Sequence, residues 1–581
     1  MQKITFGTPE EFTPSRYCPT FSYSPSEIGF DLSLIRADIS PRGTRILIPM
    51  DSCEQIFGLG LVLKGFNHRG RHLTMRVNAD PVAYTGDSHA PVPFYVSTGK
   101  QGGKCYGIYV DTARCAEFNC GKKLLGEASG KNPDDASLPA VSTDELYRVK
   151  LPEDGVYMVI EIPYARGVDL YVMEGDTVTD VVAQYNMLSG GGGALSYGGI
   201  PDWGLGVYYR CCTRFNEEQV IGIAKYFREK GIPCDVIGLE PGWQSRTYSC
   251  TYVWNDKLFP NHEDTVAALR DMGYHVNLWE HAYTHPESPI YAEMRKHCAD
   301  FEVWGGVVPD FTFADTREAF ARHHMSTTVS LGIDGFKLDE CDNSDYTGSW
   351  CFPSCTRFPS GLDGEQYHSL FGSLYMQAIL ETIGERGTFG QVRNAGALAA
   401  PYPFALYSDL YDHSDFIRGV VNAGFSGLLW TPELRHADSR TDLLRRLQTV
   451  VFSPQCLINA WYIDEAPWIK FDCETEVREL LELRESLKPR LRAAYDNYRM
   501  NGVPVCRALV SDYSSDPETY GIDNEYLFCD DLLVAPMTTA EEERRVYIPS
   551  CEWVDFFTDE LVKSGWLTYR GEGIPVYRKL K

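Results

Sequence analysis

The 581-residue sequence predicts an α/β fold, a (β/α)8 barrel of the TIM type set between an N-terminal β-sandwich and a C-terminal β-domain. Three observations predict it. The chain is longer than one hydrophobic core usually organises, so two to four domains are expected. The hydrophobic period changes twice, from alternation to a strand-and-helix rhythm and back. A run of four glycines, Gly190 to Gly193, marks the first change, being too flexible to lie inside a strand or helix. A hydrophobic content of 44%, with 13% aromatics, supports well-packed domains throughout.

Up to about residue 185 short runs alternate apolar and polar residues between Gly, Pro and Asp, as at Phe94-Tyr95-Val96-Ser97 and Tyr106-Gly107-Ile108-Tyr109-Val110. This pattern predicts the sandwich. From about Trp203 apolar strands alternate with helical segments, the pattern of βαβ units around a parallel sheet. The first helix has a capping box in Asn216 and Gln219, an apolar face in Val220, Ile223, Ala224 and Phe227, and an end at Gly231 and Pro233. The strand Asp235 to Leu239 follows. A helix from Thr265 to Met272 leads to the strand His275 to Trp279, and a helix capped by Asp315 with Glu318 leads to Asp334 through Asp339. After about residue 498 alternation returns at Leu532 to Pro536 and Arg545 to Pro549. The expected domains are therefore 1–190, 191–497 (the barrel with trailing helices) and 498–581.

Composition excludes several classes of function. The formal charge of −26 comes from 80 acidic against 54 basic residues, with no Lys/Arg-rich block, so nucleic acid is not an expected partner. No stretch of about 18 apolar residues occurs, and the first residues lack a positive segment followed by an apolar run, so a soluble, cytoplasmic protein away from membranes is expected. The eighteen cysteines are scattered, and the closest sets, Cys211-Cys212 and Cys351 with Cys355, lack the second Cys/His pair of a zinc site. Reduced thiols, no metal and no cofactor are the expectation. Neither a phosphate-cradling GxxxxGK[ST] run nor a GxSxG elbow is present.

In such a barrel the chemistry sits at the C-terminal ends of the strands. There the sequence has Glu240 with Trp243, Trp279 with His281, Lys337 with Asp339, Arg393, and Ser408-Asp409. Carboxylates grip hydroxyls and aromatic faces stack on pyranose rings, so this set suits a sugar. Strand-end carboxylates also cap helices and pair with cations. Asp315, Asp334 and Asp412 fit that structural role, and Trp243, Trp279 and Trp430 fit ordinary core positions.

Gly332 through Glu340, ending FKLDE, resembles the nucleophile strand of glycoside hydrolase family 31, whose pattern G-[VI]-D-x-F-x-x-D ends on the attacking Asp. Phe57 to Gly60, Pro93-Phe94, Asp310-Phe311-Thr312, Gly502 to Arg507, Asp531 to Pro536 and Ile574-Pro575-Val576 resemble the family's other segments in order, covering nearly the whole chain. The resemblance implies a retaining, exo-acting α-glycosidase with Asp339 as nucleophile. It places the acid/base sixteen residues after a substrate-contacting Arg, with an aromatic-Pro pair between them. Counting from Arg393 past Tyr402-Pro403 gives Asp409, with Asp412 as the alternative. It also implies sugar-hydroxyl contacts for Lys337 and Arg393. Three departures bear on specificity: Glu240 replaces an Asp, Trp430 to Glu433 replaces a W-x-x-D-I-G-G segment, and Asn459 replaces a His. α-Glucose, α-galactose and α-xylose all stay open as the terminal sugar of a small glycoside or oligosaccharide. Two carboxyls ~5 Å apart should leave Asp409 protonated near neutral pH beside a charged Asp339. The alternatives are a transglycosylase with the same intermediate, or a sugar- or partner-binding barrel without catalysis. Self-association is left open.

Overall fold

The computed structural model describes residues 1–79, 81–100, 102–123, 156–191, 199–345 and 350–580. Gly192 and Gly193 of the glycine run lie outside the described residues.

The N-terminal sandwich is two five-stranded antiparallel sheets. Phe94–Ser97 pairs with Cys105–Asp111 in one of them, and both strands are buried along their whole length. The reason is that both faces are covered: Tyr95, Ile108 and Val110 point into the core between the sheets, while Phe94, Val96 and Tyr109 point into the core shared with the barrel. The alternation also hides a helix, Val178–Leu188, opened by a capping box of Thr177 and Asp180. Its Tyr185 ring stacks on Phe94 at 4.1 Å.

Eight parallel strands form the barrel: Val207–Arg210, Val236–Leu239, His275–Glu280, Ile333–Leu338, Gly390–Val392, Phe404–Leu406, Glu433–Leu434 and Cys456–Asn459. A parallel bridge between Leu406 and Trp430 closes the ring between the sixth strand and the segment entering the seventh. The helix Glu217–Glu229 begins at the predicted capping box, with both reciprocal bonds of Asn216 and Gln219 formed. Two helix starts differ from the sequence reading. The helix leading to the third strand spans His262–Asp271 and so starts three residues early. Asp315 is not a cap: its helix is Ala314–Thr327, Phe313 is the N-cap, and Asp315 sits in the first turn, where it pairs with His297. The turn before it is closed by Asp310, which accepts from the N–H and hydroxyl of Thr312.

A 28-residue helix, Glu474–Asn501, trails the barrel and stops at Gly502 (φ 75°). A Cβ at Gly502 would lie 2.5 Å from the Ala183 carbonyl oxygen, so left-handed geometry and close approach both require glycine. The first strand beyond it is Cys506–Ala508, in a six-stranded sheet, and a separate two-stranded antiparallel sheet pairs Arg544–Ile548 with Gly565–Tyr569. One hydrophobic cluster runs from the sandwich through the barrel into this last unit. All eighteen cysteines are free. Among the described residues no helix is long and apolar enough to cross a membrane, and no group of His, Cys, Asp and Glu is arranged to hold a metal.

Candidate active site

The strands deliver the predicted polar residues to one end of the barrel. Asp339 follows the fourth strand, and its two oxygens are held separately: Oδ2 accepts from Trp279 Nε1 at 2.6 Å and Oδ1 from the Glu340 backbone N–H at 2.9 Å. Arg393, after the fifth strand, lies between the two candidate carboxylates. Its Nε is 4.0 Å from Asp339 Oδ1, and one terminal nitrogen donates to Asp409 Oδ2 at 2.6 Å. Asp339 is nearly enclosed, whereas the Asp409 side chain is 58% exposed at the mouth. Asp412, by contrast, caps the helix His413–Ala423 by accepting from Asp415 N–H at 2.9 Å, which occupies its carboxylate locally.

A second cluster forms beside the pair. Lys337 donates to both oxygens of Glu240 at 3.1 and 3.2 Å, and Arg210 binds the same carboxylate from the first strand. Burial alone would raise the Glu240 carboxyl, but the two cations outweigh it and hold it below the usual range. Across the mouth Asn459 donates to Glu433 at 3.0 Å, and Arg435 Nε lies 2.9 Å from the other oxygen of Glu433. Here burial wins and the Glu433 carboxyl is raised despite Arg435.

An aromatic wall flanks Asp339. Tyr248, about half exposed, stands 5.7 Å from the Trp279 ring, 5.0 Å from Trp304 and 5.6 Å from His281. His281 is buried and pulled down to about 3, so it is a neutral ring at ordinary pH. Trp243 and Trp430 are enclosed. Trp243 donates to the Trp279 carbonyl and backs the wall, while Trp430 donates to the Phe416 carbonyl behind the barrel, the core position it also fits from the sequence.

The charge states differ from the expected ones. Burial raises the Asp339 carboxyl, only partly countered by Arg393 and Lys337. The Asp409 carboxyl is partly desolvated by the groups packed around it although it still reaches solvent, and Arg393, Lys337 and Arg435 outweigh that effect and hold it well below the carboxylate range. The pull on Asp409 is downward and that on Asp339 upward, opposite to the expectation, because the cations cluster on the Asp409 side.

Several residues at the mouth escape a reading of the sequence alone. Arg210 ends the first strand and would be found by the strand-end rule once that strand is marked. Arg435 lies just past the seventh strand, a two-residue strand too short to see. Glu340 has a left-handed backbone (φ 57°), and burial with the neighbouring Asp339 pushes its carboxyl up to about 8. Tyr407 faces both Lys337 and Arg393, at 4.7 and 5.3 Å from its ring. His89 comes from the sandwich, bridging Asp342 at 2.6 Å and Ser408 at 2.7 Å, while Asp342 accepts from Arg393 at 3.0 Å. No local pattern marks His89, since its partners are more than 250 residues away.

Residues 199–494 match the model of the glycosyl hydrolases family 31 TIM-barrel domain, and residues 502–580 match the family 31 C-terminal domain. The chain belongs to glycosyl hydrolase family 31. This family 31 chain is 22% identical over 538 residues to an alpha-xylosidase of Emericella nidulans, covering 87% of the chain and 63% of that relative. It is 27% identical over 557 residues to alpha-glucosidase 2 of Bacillus thermoamyloliquefaciens, covering 89% and 65%. It thus spans somewhat under two thirds of these relatives. The family 31 fold is also that of a GH31 dextranase of Flavobacterium johnsoniae solved with glucose, with a TM-score of 0.76 at 21% identity over 95% of this chain and 68% of that one.

Proposed function

We propose that the protein is a retaining α-glycosidase that removes a terminal α-linked sugar, using Asp339 as nucleophile and Asp409 as acid/base. The observation that carries this reading is Arg393, which reaches both carboxylates at the C-terminal end of the barrel. In the protonation form that reacts, Asp339 is ionised and Asp409 holds the proton: Asp339, oriented by two N–H groups, attacks the anomeric carbon as the glycosidic oxygen leaves and takes the proton from Asp409. Asp409 then removes a proton from the water that opens the glycosyl ester, restoring the original configuration. Glu240 with Lys337 and Arg210, and Glu433 with Asn459, supply acceptors and donors for sugar hydroxyls, and the Tyr248–Trp279–Trp304 wall supplies stacking area. The names of the relatives favour α-glucosides and α-xylosides over α-galactosides. A panel of nitrophenyl α-glycosides reads the sugar directly.

The test of the mechanism is Asp409→Ala. General-acid help is worth roughly 10²–10⁴ in rate when the departing oxygen is basic, so alkyl glycosides should lose that much while dinitrophenyl glycosides still form the intermediate. Added azide should then speed turnover and give an α-glycosyl azide, identified by NMR. Rescue confined to Asp412→Ala, or a β-azide product, would overturn the assignment.

A further inference from the structure

We propose that Arg435 is a positioning residue for Asp409: a second fixed cation which, with Arg393, sets the pH range in which the acid/base can hold its proton. The inference rests on Asp409 being the acid/base.

Arg435 is built into place. It is buried, its backbone N–H donates to the Tyr411 hydroxyl at 2.9 Å, and its guanidinium lies 4.6 Å from the centre of the Tyr411 ring. Nε sits 2.9 Å from Glu433, itself held by Asn459. The far end of the guanidinium faces Asp409 twice: one nitrogen donates to its backbone carbonyl, and the other lies 3.7 Å from Oδ1. A residue present only to neutralise Glu433 has no need of either contact. Together with the Arg393 bond to Oδ2, each oxygen of Asp409 has a guanidinium beside it.

The surrounding charges fix the sign. Lys337 and Asp339 face Asp409 from the fourth strand, Arg393 from the fifth, Tyr407 from its own strand, and Glu433 and Arg435 from the seventh. The three cations prevail, and Asp409 lies well below the ordinary range. A general acid in that state has lost its proton by neutral pH, so the rate on substrates needing protonation should fall at a lower pH than for an unpaired carboxyl. Removing Arg435 weakens this bias. The open mouth screens part of it, so the alkaline limb of kcat/KM should move upward by roughly 0.5–1 unit.

The experiment compares pH profiles of wild type, Arg435→Lys and Arg435→Gln on an alkyl α-glycoside and on a dinitrophenyl α-glycoside of the same sugar. The expected result is an upward shift of the alkaline limb for the alkyl glycoside in Arg435→Gln. Arg435→Lys, which keeps the charge, should shift it less, and the dinitrophenyl limb should stay in place. A structural role alone would lower rates without moving the limb. If Arg435→Gln does not fold, the double variant E433Q/R435Q, which removes both members of the buried pair, carries the same measurement. An alkyl-glycoside limb that overlays wild type while azide still rescues Asp409→Ala would overturn the inference alone. Failure of azide rescue would overturn the acid/base assignment beneath it.

Discussion

Asp339 and Asp409 are chemically identical side chains made different by what surrounds them. Asp339 is enclosed and receives two neutral N–H donors, which orient it for attack. Asp409 is exposed and flanked by two guanidinium groups. Truncating Asp339 removes a functional carboxylate and almost no packed volume. Asp339→Ala should therefore keep the wild-type melting temperature within a few degrees and fall below roughly 10⁻³ of wild-type turnover, a single-nucleophile loss that steady-state kinetics on the best aryl glycoside will measure. More than a few per cent of residual activity would count against the assignment. Asp339 and Arg393 were both legible from strand ends and motif spacing. Glu340 and Arg435 were not, because their character comes from a left-handed turn and from a neighbour on another strand.

At the scale of elements, local signals worked where the bonds are local. The Asn216–Gln219 box is a contact three residues long and forms as read. The Asp315 cap fails because the Asp310 turn and Phe313 set the helix start first. The helix Glu474–Asn501 shows what such reading misses. Its buried Arg484 donates to the carbonyls of Leu205, Val451, Ser453 and Pro454, tying the helix to segments flanking the first and eighth strands. Arg484→Ala leaves buried carbonyls without donors, and about 3 kcal/mol of stability should be lost in urea melts. Arg484→Lys should recover little of it, since one ammonium cannot span four carbonyls. A melt indistinguishable from wild type would show that water replaces the guanidinium at no cost.

The whole molecule behaves as one body to the extent that its core is continuous. Phe94 and Val96 of the sandwich share a cluster with the barrel, and His89 carries the same connection into polar chemistry at Asp342 and Ser408. Global stability also has a titrating element in the C-terminal unit. Glu525 is fully buried, and burial pushes its carboxyl up to about 8 against the pull of Arg544 and the Tyr547 N–H. The folded value lies above the ordinary 4.5, so folding favours the protonated form. That contribution is fully present below pH ~4.5 and is lost as the pH rises through about 8. Between pH 5 and 9 the wild type should lose on the order of 2–4 kcal/mol through this group, and Glu525→Gln should flatten the fall in melting temperature by scanning fluorimetry. An unchanged slope in the variant would place the pH dependence elsewhere.

The sequence by itself determined the fold class, the order of its three parts, the family motifs and the strand-end carboxylates. All of these are encoded in periodicity and short spacings along one chain, where local sterics and burial decide. Tertiary structure alone decided which cations crowd each carboxylate, which aromatics face the mouth, and that His89 and Arg435 stand beside Asp342 and Asp409. Those properties depend on distances between residues tens to hundreds of positions apart, and on electrostatic fields that fall off with distance in space rather than along the chain.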